Sequence, residues 1–340
     1  MNLAQYIHLM PKVELHVHLE GAIRPATLLQ LAKRNHVPLP AENLAELSAW
    51  YTFRDFPHFA EIYQTLSRCI RTADDIEFIT REFLAGQAEQ NIRHSEATFT
   101  ALTHYRNLGL SFDEQLAAID RARDWGEREL NTSLLVIFDI PREFASPEEA
   151  LQLAQWLAAR RPASVAALGL GGYEVDFPPE KYHEAFEYAH AARLTTILHA
   201  GETEGPQSIW SALRLGRSVR IGHGVRCLED PKLVAYLREH QIPLEVCPTS
   251  NVCLGVVKDL ASHPLPQLLA ENLYVTVNSD DPPMFSTTLT EEFLRISQQF
   301  GFAQTDLQRF TMNALQASRL PEARKKALEQ TFRKEFETLA

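Results

Sequence analysis

The chain has 340 residues, 45% hydrophobic and 23% charged, with a formal net charge of −11. Such a chain can bury a large core, and its acidic balance excludes the basic face needed to coat a nucleic-acid polymer or an anionic membrane. No apolar run approaches the roughly 18 residues of a membrane span. Met1–Pro11 lacks the basic-then-apolar order of a signal peptide. Cys69, Cys227, Cys247 and Cys253 show no C-x-x-C spacing, so a reducing cytoplasm is the expected compartment.

In chain order, short apolar or β-branched runs predict eight strands: Lys12–His18, Asn91–Thr98, Ser133–Asp139, Ser164–Leu170, Leu194–His199, Val219–His223, Ile242–Cys247 and Leu273–Asn278. Several are nearly continuous in apolar residues, as in a parallel sheet covered on both faces. Amphipathic helical stretches lie between them. Ser111-Phe-Asp-Glu114 and Ser146-Pro-Glu-Glu149 are capping boxes, the second with Pro147 at the first helical position. Asp230 opens a helix over Pro231–His240, and Thr305-Asp-Leu-Gln308 opens another near the C-terminus.

This alternation predicts an α/β fold, a (β/α)8 TIM-type barrel, as a single domain over residues 1–340. Residues 20–90 separate the first two strands and read mostly as helix. An insertion on that connection sits at the C-terminal mouth, as a lid or pocket wall. Trp50, Tyr51, Phe53, Phe56, Phe59 and Tyr63 either roof the pocket or simply pack the inserted helices. Helices within 290–340 close the outside.

Four clusters fall at strand C-terminal ends, where the catalytic groups of this fold sit. His16-Val-His18 projects two imidazoles to one face of the first strand. That pattern suits a metal, or two partly buried histidines bonded to backbone. His199-Ala-Gly-Glu202 adds an imidazole and a carboxylate, or a strand-end His and a helix cap. Ile221-Gly-His223-Gly224 leaves an imidazole accessible between glycines, or in a tight turn. Asn278-Ser-Asp280-Asp281-Pro282 offers two carboxylates that point differently, or an Asx-rich turn. Unrelated structural histidines have no reason to collect at one mouth. Together the clusters point to a divalent site of three His and one Asp, and the absence of Lys from Ser164–Leu170 favours a single ion.

Pro11-Lys-Val-Glu-Leu-His-Val-His-Leu-Glu-Gly21, His199-Ala-Gly-Glu202, Arg220-Ile-Gly-His-Gly224, Cys247-Pro-Thr-Ser-Asn251 and Asn278-Ser-Asp-Asp-Pro282 resemble the adenosine/adenine deaminase family of the amidohydrolase superfamily, in family order. The resemblance implies one Zn²⁺ per chain, bound by His16, His18, His199 and Asp280, which lowers the pKa of a bound water. It implies that His223 orients this water and that Glu202 protonates the purine N1 and then passes a proton to the departing amine. Asp281 would accept a hydrogen bond from N7 or otherwise anchor the five-membered ring, and the Gly172 N–H would reach N3. His18 and Glu20 would also meet the substrate. The remaining nine of the 13 histidines, His94 and His104 among them, read as ordinary.

Substrate signals conflict. Glu20, where adenosine-specific members usually carry Asp, is as in the adenine branch. Gly222 and the Gly205–Trp210 stretch look like nucleoside deaminases, and Tyr173 departs from both patterns. The sequence favours hydrolytic deamination of adenosine or a 5′-modified adenosine to the 6-oxopurine and ammonia. The alternatives are adenine deaminase or aminodeoxyfutalosine deaminase. A phosphoesterase barrel or an inactive binding protein on the same fold fits less well, since every ligand and the acid are present. The partner is a small-molecule purine, and the sequence leaves the oligomeric state open.

Overall fold

The structure is a computed structural model. It describes residues 1–53 and 56–339, without the side chains of Phe56 and Pro57. The roof position expected for Phe56 therefore lies outside the description.

Eight strands form one parallel sheet in sequence order: β1 (Lys12–His18), β2 (Ile92–Phe99), β3 (Ser133–Pro141), β4 (Val165–Gly171), β5 (Thr196–Ala200), β6 (Ile221–His223), β7 (Leu244–Val246) and β8 (Val275–Val277). Each matches a strand expected from the sequence, the later ones being shorter at their starts. Helices alternate with the strands, giving the (β/α)8 barrel.

The sheet closes between β8 and β1 through the functional segment itself. Val17 pairs with Asp280 in a parallel bridge. The His18 N–H donates to the Asp280 carbonyl at 2.9 Å and the Asp280 N–H to the His16 carbonyl at 3.1 Å. Asn278 Oδ1 accepts the Leu15 and His16 N–H groups. Closing the barrel thus also sets Asp280 beside His16 and His18.

The barrel interior is part apolar and part ionic. Ile137, Ala166, Ala167 and Ile197 form one small buried cluster. Elsewhere in the sheet the buried Arg220, just before β6, lies 2.7 Å from Glu96 Oε2 of β2 and 2.5 Å from Glu245 Oε1 of β7. Burial would raise the pKa of both carboxyls, but the guanidinium outweighs it, holding Glu96 to about 2 and Glu245 below the usual range.

Ser111 and Ser146 cap their helices with reciprocal bonds from Glu114 and Glu149, and Asp230 accepts the Lys232 N–H at 2.9 Å. Thr305 is not a cap. That helix runs Gln304–Ala317, so Thr305 lies inside its first turn, and Asp306 reaches back to the Ala303 N–H at 3.0 Å.

Between β1 and β2 lie the helices Pro25–Asn35, Leu44–Tyr51, Phe56–Cys69 and Ala73–Glu89. The last belongs to the outer ring of the barrel. It buries Ile76, Ile79, Phe83 and Leu84, and its Gln87 donates to Glu14 of β1 at 2.6 Å and to Ser95 of β2 at 3.0 Å. The aromatics of this segment divide by position. Phe59 and Tyr63 line the cavity at the mouth, and Phe59 stacks on Phe285 with centroids 5.8 Å apart. Tyr51 instead donates to the Ile23 carbonyl, and Trp50 packs on Tyr51 and His58. Among the described residues no helix is long and apolar enough to cross a membrane. The four cysteines are free thiols, three of them buried.

Candidate active site

The strand ends bring His16, His18, His199, His223, Glu202, Asp280 and Asp281 to one mouth. His18 Nε2 lies 3.2 Å from His199 Nε2 and 3.3 Å from Asp280 Oδ1, and His16 Nε2 lies 3.5 Å from the same oxygen. Donors arranged tetrahedrally about 2.05 Å from a zinc-type ion stand about 3.3 Å apart. The three separations match that edge. His16 Nε2 is also buried with no hydrogen-bond partner among the described residues, as expected of a nitrogen whose lone pair serves a cation.

Two overlapping groups could hold an ion. His16, His199, His223 and Asp280 have donor atoms within 4.8 Å of one another, as do His18, Asp280 and Asp281. His223 Nε2 stands farther out, 3.9 Å from Asp280 Oδ2 and 3.6 Å from Glu202 Oε1. That Asp280 oxygen is already taken by the Ser250 hydroxyl at 2.6 Å. His223 and Asp280 both sit at positive φ, 59° and 65°. For non-glycine residues such backbone costs energy and collects at functional sites.

Other groups fix the second nitrogens of the imidazoles. Glu245 Oε2 lies 2.9 Å from His16 Nδ1, and the Leu170 carbonyl 3.1 Å from His199 Nδ1. Each acceptor holds the proton on Nδ1 and turns Nε2 toward the site. Burial alone would lower the His16 pKa, but Asp280 and Glu245 lift it to about 10, so a cation there competes with a proton. Burial lowers the pKa of His18 and takes that of His199 well below the usual value. These imidazoles resist protonation, so their lone pairs stay available to a cation.

Glu202 and Asp281 behave oppositely to Asp280. Burial, then the Asp280 charge, raises both well above the carboxylate range. Burial also opposes charge on Asp280, but His16, with Nε2 3.5 Å from its Oδ1, and the other imidazoles around it push its pKa below the usual carboxylate range. One carboxylate is thus set for a cation and two carboxyls for carrying a proton. Gly21 makes room for Asp281, since a Cβ there would fall 1.6 Å from Asp281 Oδ1.

Gly172 lines the cavity at φ +97°, and a Cβ would meet Glu143 Oε2 at 2.0 Å. Glu20 Oε1 accepts the Thr100 N–H at 3.0 Å and lies 3.3 Å from His104 Nε2, while Oε2 is buried without a partner among the described residues. Tyr63, Thr100 and Asp139 form the adjacent cavity wall. Asp139 is buried, its Oδ1 also lacks a partner among the described residues, and burial followed by the Glu20 charge lifts its pKa to about 7.

Several of these groups escaped the sequence reading. Glu174 accepts the N–H groups of Gly201, Glu202 and Thr203 at 2.8–2.9 Å and the Ser208 hydroxyl, so it shapes the turn that carries Glu202. Arg142, fully buried, donates to the His199 carbonyl at 2.7 Å. Asp139, Glu245, Ser250 and Asn251 complete the set. Of these, only Ser250 and Asn251 carried any signal, as members of the Cys247–Asn251 motif already quoted.

Glu292 supports the helix Pro248–Cys253, which presents Ser250 and Asn251. It accepts the Thr249 N–H at 3.1 Å and the Thr287 hydroxyl at 2.6 Å. Burial nevertheless lifts its pKa to about 7. The folded state therefore prefers the protonated form. Its contribution is complete below the ordinary carboxyl pKa of about 4.3 and is lost as pH rises through 7. Glu292→Gln, which mimics the acid, is expected to be as stable as the wild type at pH ~4 and more stable at pH ~9, by at most about 4 kcal/mol. Coincident melts at the higher pH would refute this.

A family model described as adenosine deaminase matches residues 11–335. An aminodeoxyfutalosine deaminase of Streptomyces avermitilis is 39% identical over 95% of this chain and 90% of its own length. The crystal structure of an adenine deaminase of Arthrobacter aurescens superposes with a TM-score of 0.90 at 34% identity, covering 96% of this chain and 98% of its own. A zinc-bound amidohydrolase structure from Burkholderia ambifaria gives a TM-score of 0.90 at 29% identity, covering 100% of this chain and 94% of its own. With motifs, barrel and mouth geometry in agreement, the chain belongs to the adenosine deaminase family.

Proposed function

We propose that the protein is a metal-dependent aminopurine deaminase acting on a 5′-extended adenine nucleoside of the aminodeoxyfutalosine type. The sequence alone put an adenosine-type nucleoside first, with adenine deaminase or aminodeoxyfutalosine deaminase as alternatives. The relatives favour those alternatives. Between the two, the cavity carries the choice. It measures about 950 Å³ and continues from the histidine cluster to the helix Phe56–Cys69. That is the upper end of pockets which enclose drug-sized ligands, and a free purine fills a small part of it. Arg68 on the wall donates to Thr65 Oγ1 at 2.8 Å and, among the described residues, forms no ion pair. It suits a negatively charged extension. Phe59 and Tyr63 on the same helix would make residues 56–69 the lid, within one domain.

His16, His18, His199 and Asp280 would hold one Zn²⁺. Three donor separations of 3.2–3.5 Å, half of the six edges of a tetrahedron, the unpartnered His16 Nε2 and the three-imidazole donor set support that assignment, as does the zinc-bound relative. When bound, the metal supplies Lewis-acid activation of a water. Glu202 holds the proton that goes to purine N1, making C6 electrophilic. It then recovers a proton from the attacking water and passes it to the amine, which leaves as ammonia, and it takes back the remaining hydroxyl proton as the C6 carbonyl forms. His223 orients the water. N7 carries a lone pair, so Asp281 has to donate to it rather than accept, and its raised pKa keeps the required proton.

A substrate panel tests the choice. The metal-loaded enzyme is expected to deaminate aminodeoxyfutalosine with a kcat/KM about 100-fold or more above adenine, because remote binding contacts are drawn on in the transition state. Equal or better turnover of adenine would instead support the adenine reading.

A further inference from the structure

Only one tautomer of His223 serves the function proposed above, on which this inference rests. The groups behind His223 select that tautomer. The chain of contacts starts at a main-chain group. The Leu265 N–H, at the start of the helix Leu265–Ala270, donates to His263 Nδ1 at 3.0 Å. A backbone N–H cannot accept, so His263 Nδ1 carries the lone pair. Burial lowers the His263 pKa to about 4, so the ring is neutral and its proton sits on Nε2. That nitrogen lies 3.2 Å from Asn251 Oδ1.

The Asn251 amide is thereby oriented, oxygen toward His263 and nitrogen toward His223. Reversing it would set its NH₂ against the His263 Nε2–H, two donors in a buried place. Asn251 Nδ2 lies 3.3 Å from His223 Nδ1, which must accept. The His223 proton is left on Nε2, the atom facing Glu202 and Asp280. Asn251 is itself immobile: it is fully buried, its N–H donates to the Cys247 carbonyl, and its carbonyl accepts from Val257, both at 3.0 Å.

We propose that Asn251 and His263 are positioning residues that lock His223 as the Nε2–H tautomer. In this state His223 can donate to the attacking oxygen but cannot take its proton, and it cannot bind the metal through Nε2. The water proton must then go to Glu202. A His223 in this state leaves His18, not His223, as the fourth donor beside His16, His199 and Asp280.

The test uses the metal-loaded enzyme labelled with ¹⁵N-histidine. Long-range ¹H–¹⁵N spectra report the tautomer without substrate, the His223 signals being assigned by their loss in His223→Ala. The wild type is expected to be protonated on Nε2. In Asn251→Asp a carboxylate can only accept, so His223 Nδ1 gains the proton. Metal content and KM are expected to hold while kcat falls by about 10–100-fold, the usual effect of removing an outer partner at a metal site. His263→Gln can place its amide nitrogen where Nε2 stood and is expected to keep the tautomer and most of kcat. His263→Leu is expected to lose both, so this pair decides if Asn251→Asp does not fold. A wild-type His223 protonated on Nδ1, or an Asn251→Asp enzyme with unchanged tautomer and kcat, overturns the proposal. Because the spectra need no turnover, an error in the substrate reading leaves them decisive.

Discussion

Glu202→Gln is expected to bind metal as the wild type does and to lose kcat by about 10³-fold, within the range for removing a general acid–base group. The amide keeps the shape of the side chain and can still hydrogen-bond, but it cannot deliver a proton to N1 or relay one to the leaving amine. The environment of Glu202 fits that duty. Burial and the neighbouring Asp280 charge raise its pKa, so the acid form persists above the ordinary carboxyl range. For the same reason, turnover that needs this proton falls as pH rises through the raised pKa. Glu174 holds the Glu202 N–H at 2.8 Å without touching the reacting carboxyl, so the backbone geometry should survive the change. The measurements are metal content by mass spectrometry and decay of the aminopurine absorbance. A variant retaining more than about a tenth of wild-type kcat would remove Glu202 from the proton path.

The mouth of the barrel was legible in the sequence because its parts are local. His16 and His18 share a strand face through a two-residue period, and Glu202 follows His199 by one turn. What holds those side chains in place was not legible, because it is assembled across the barrel. Glu245 reaches His16 from the seventh strand, and Arg220, just before the sixth, keeps Glu245 ionised. No spacing in the chain announces that pair. His263 and His104 read as ordinary histidines, yet one orients Asn251 and the other meets Glu20. The aromatics between the first two strands show the same limit. Composition could not separate Phe59 and Tyr63, which face the cavity, from Trp50 and Tyr51, which pack their own helices. Helix Ala73–Glu89 belongs to the barrel wall because Gln87 ties it to β1 and β2, a contact that only the fold creates.

His199→Ala is expected to lose metal and turnover together, in contrast to Glu202→Gln. His199 Nε2 forms one corner of the candidate tetrahedron, 3.2 Å from His18 Nε2, and its Nδ1 is fixed by the Leu170 carbonyl. Alanine leaves three donors around a buried Asp280 charge, with His16 free to take a proton instead of a cation. Metal affinity should fall by more than the roughly 10–100-fold seen for outer partners. Because a ligand that binds only the folded state raises its stability by mass action, the melting temperature of wild type should climb with added Zn²⁺ and that of the variant should not. A His199→Ala protein purified with a full complement of metal would sink the assignment. The same titration tests whether His18 or His223 completes the donor set. If His16, His18, His199 and Asp280 hold the ion, His18→Ala loses the zinc-dependent rise in melting temperature and His223→Ala keeps it. If His223 is the ligand instead, the two results exchange, and the Nε2–H tautomer assigned to His223 falls with them, since a nitrogen that carries a proton has no lone pair to give a metal.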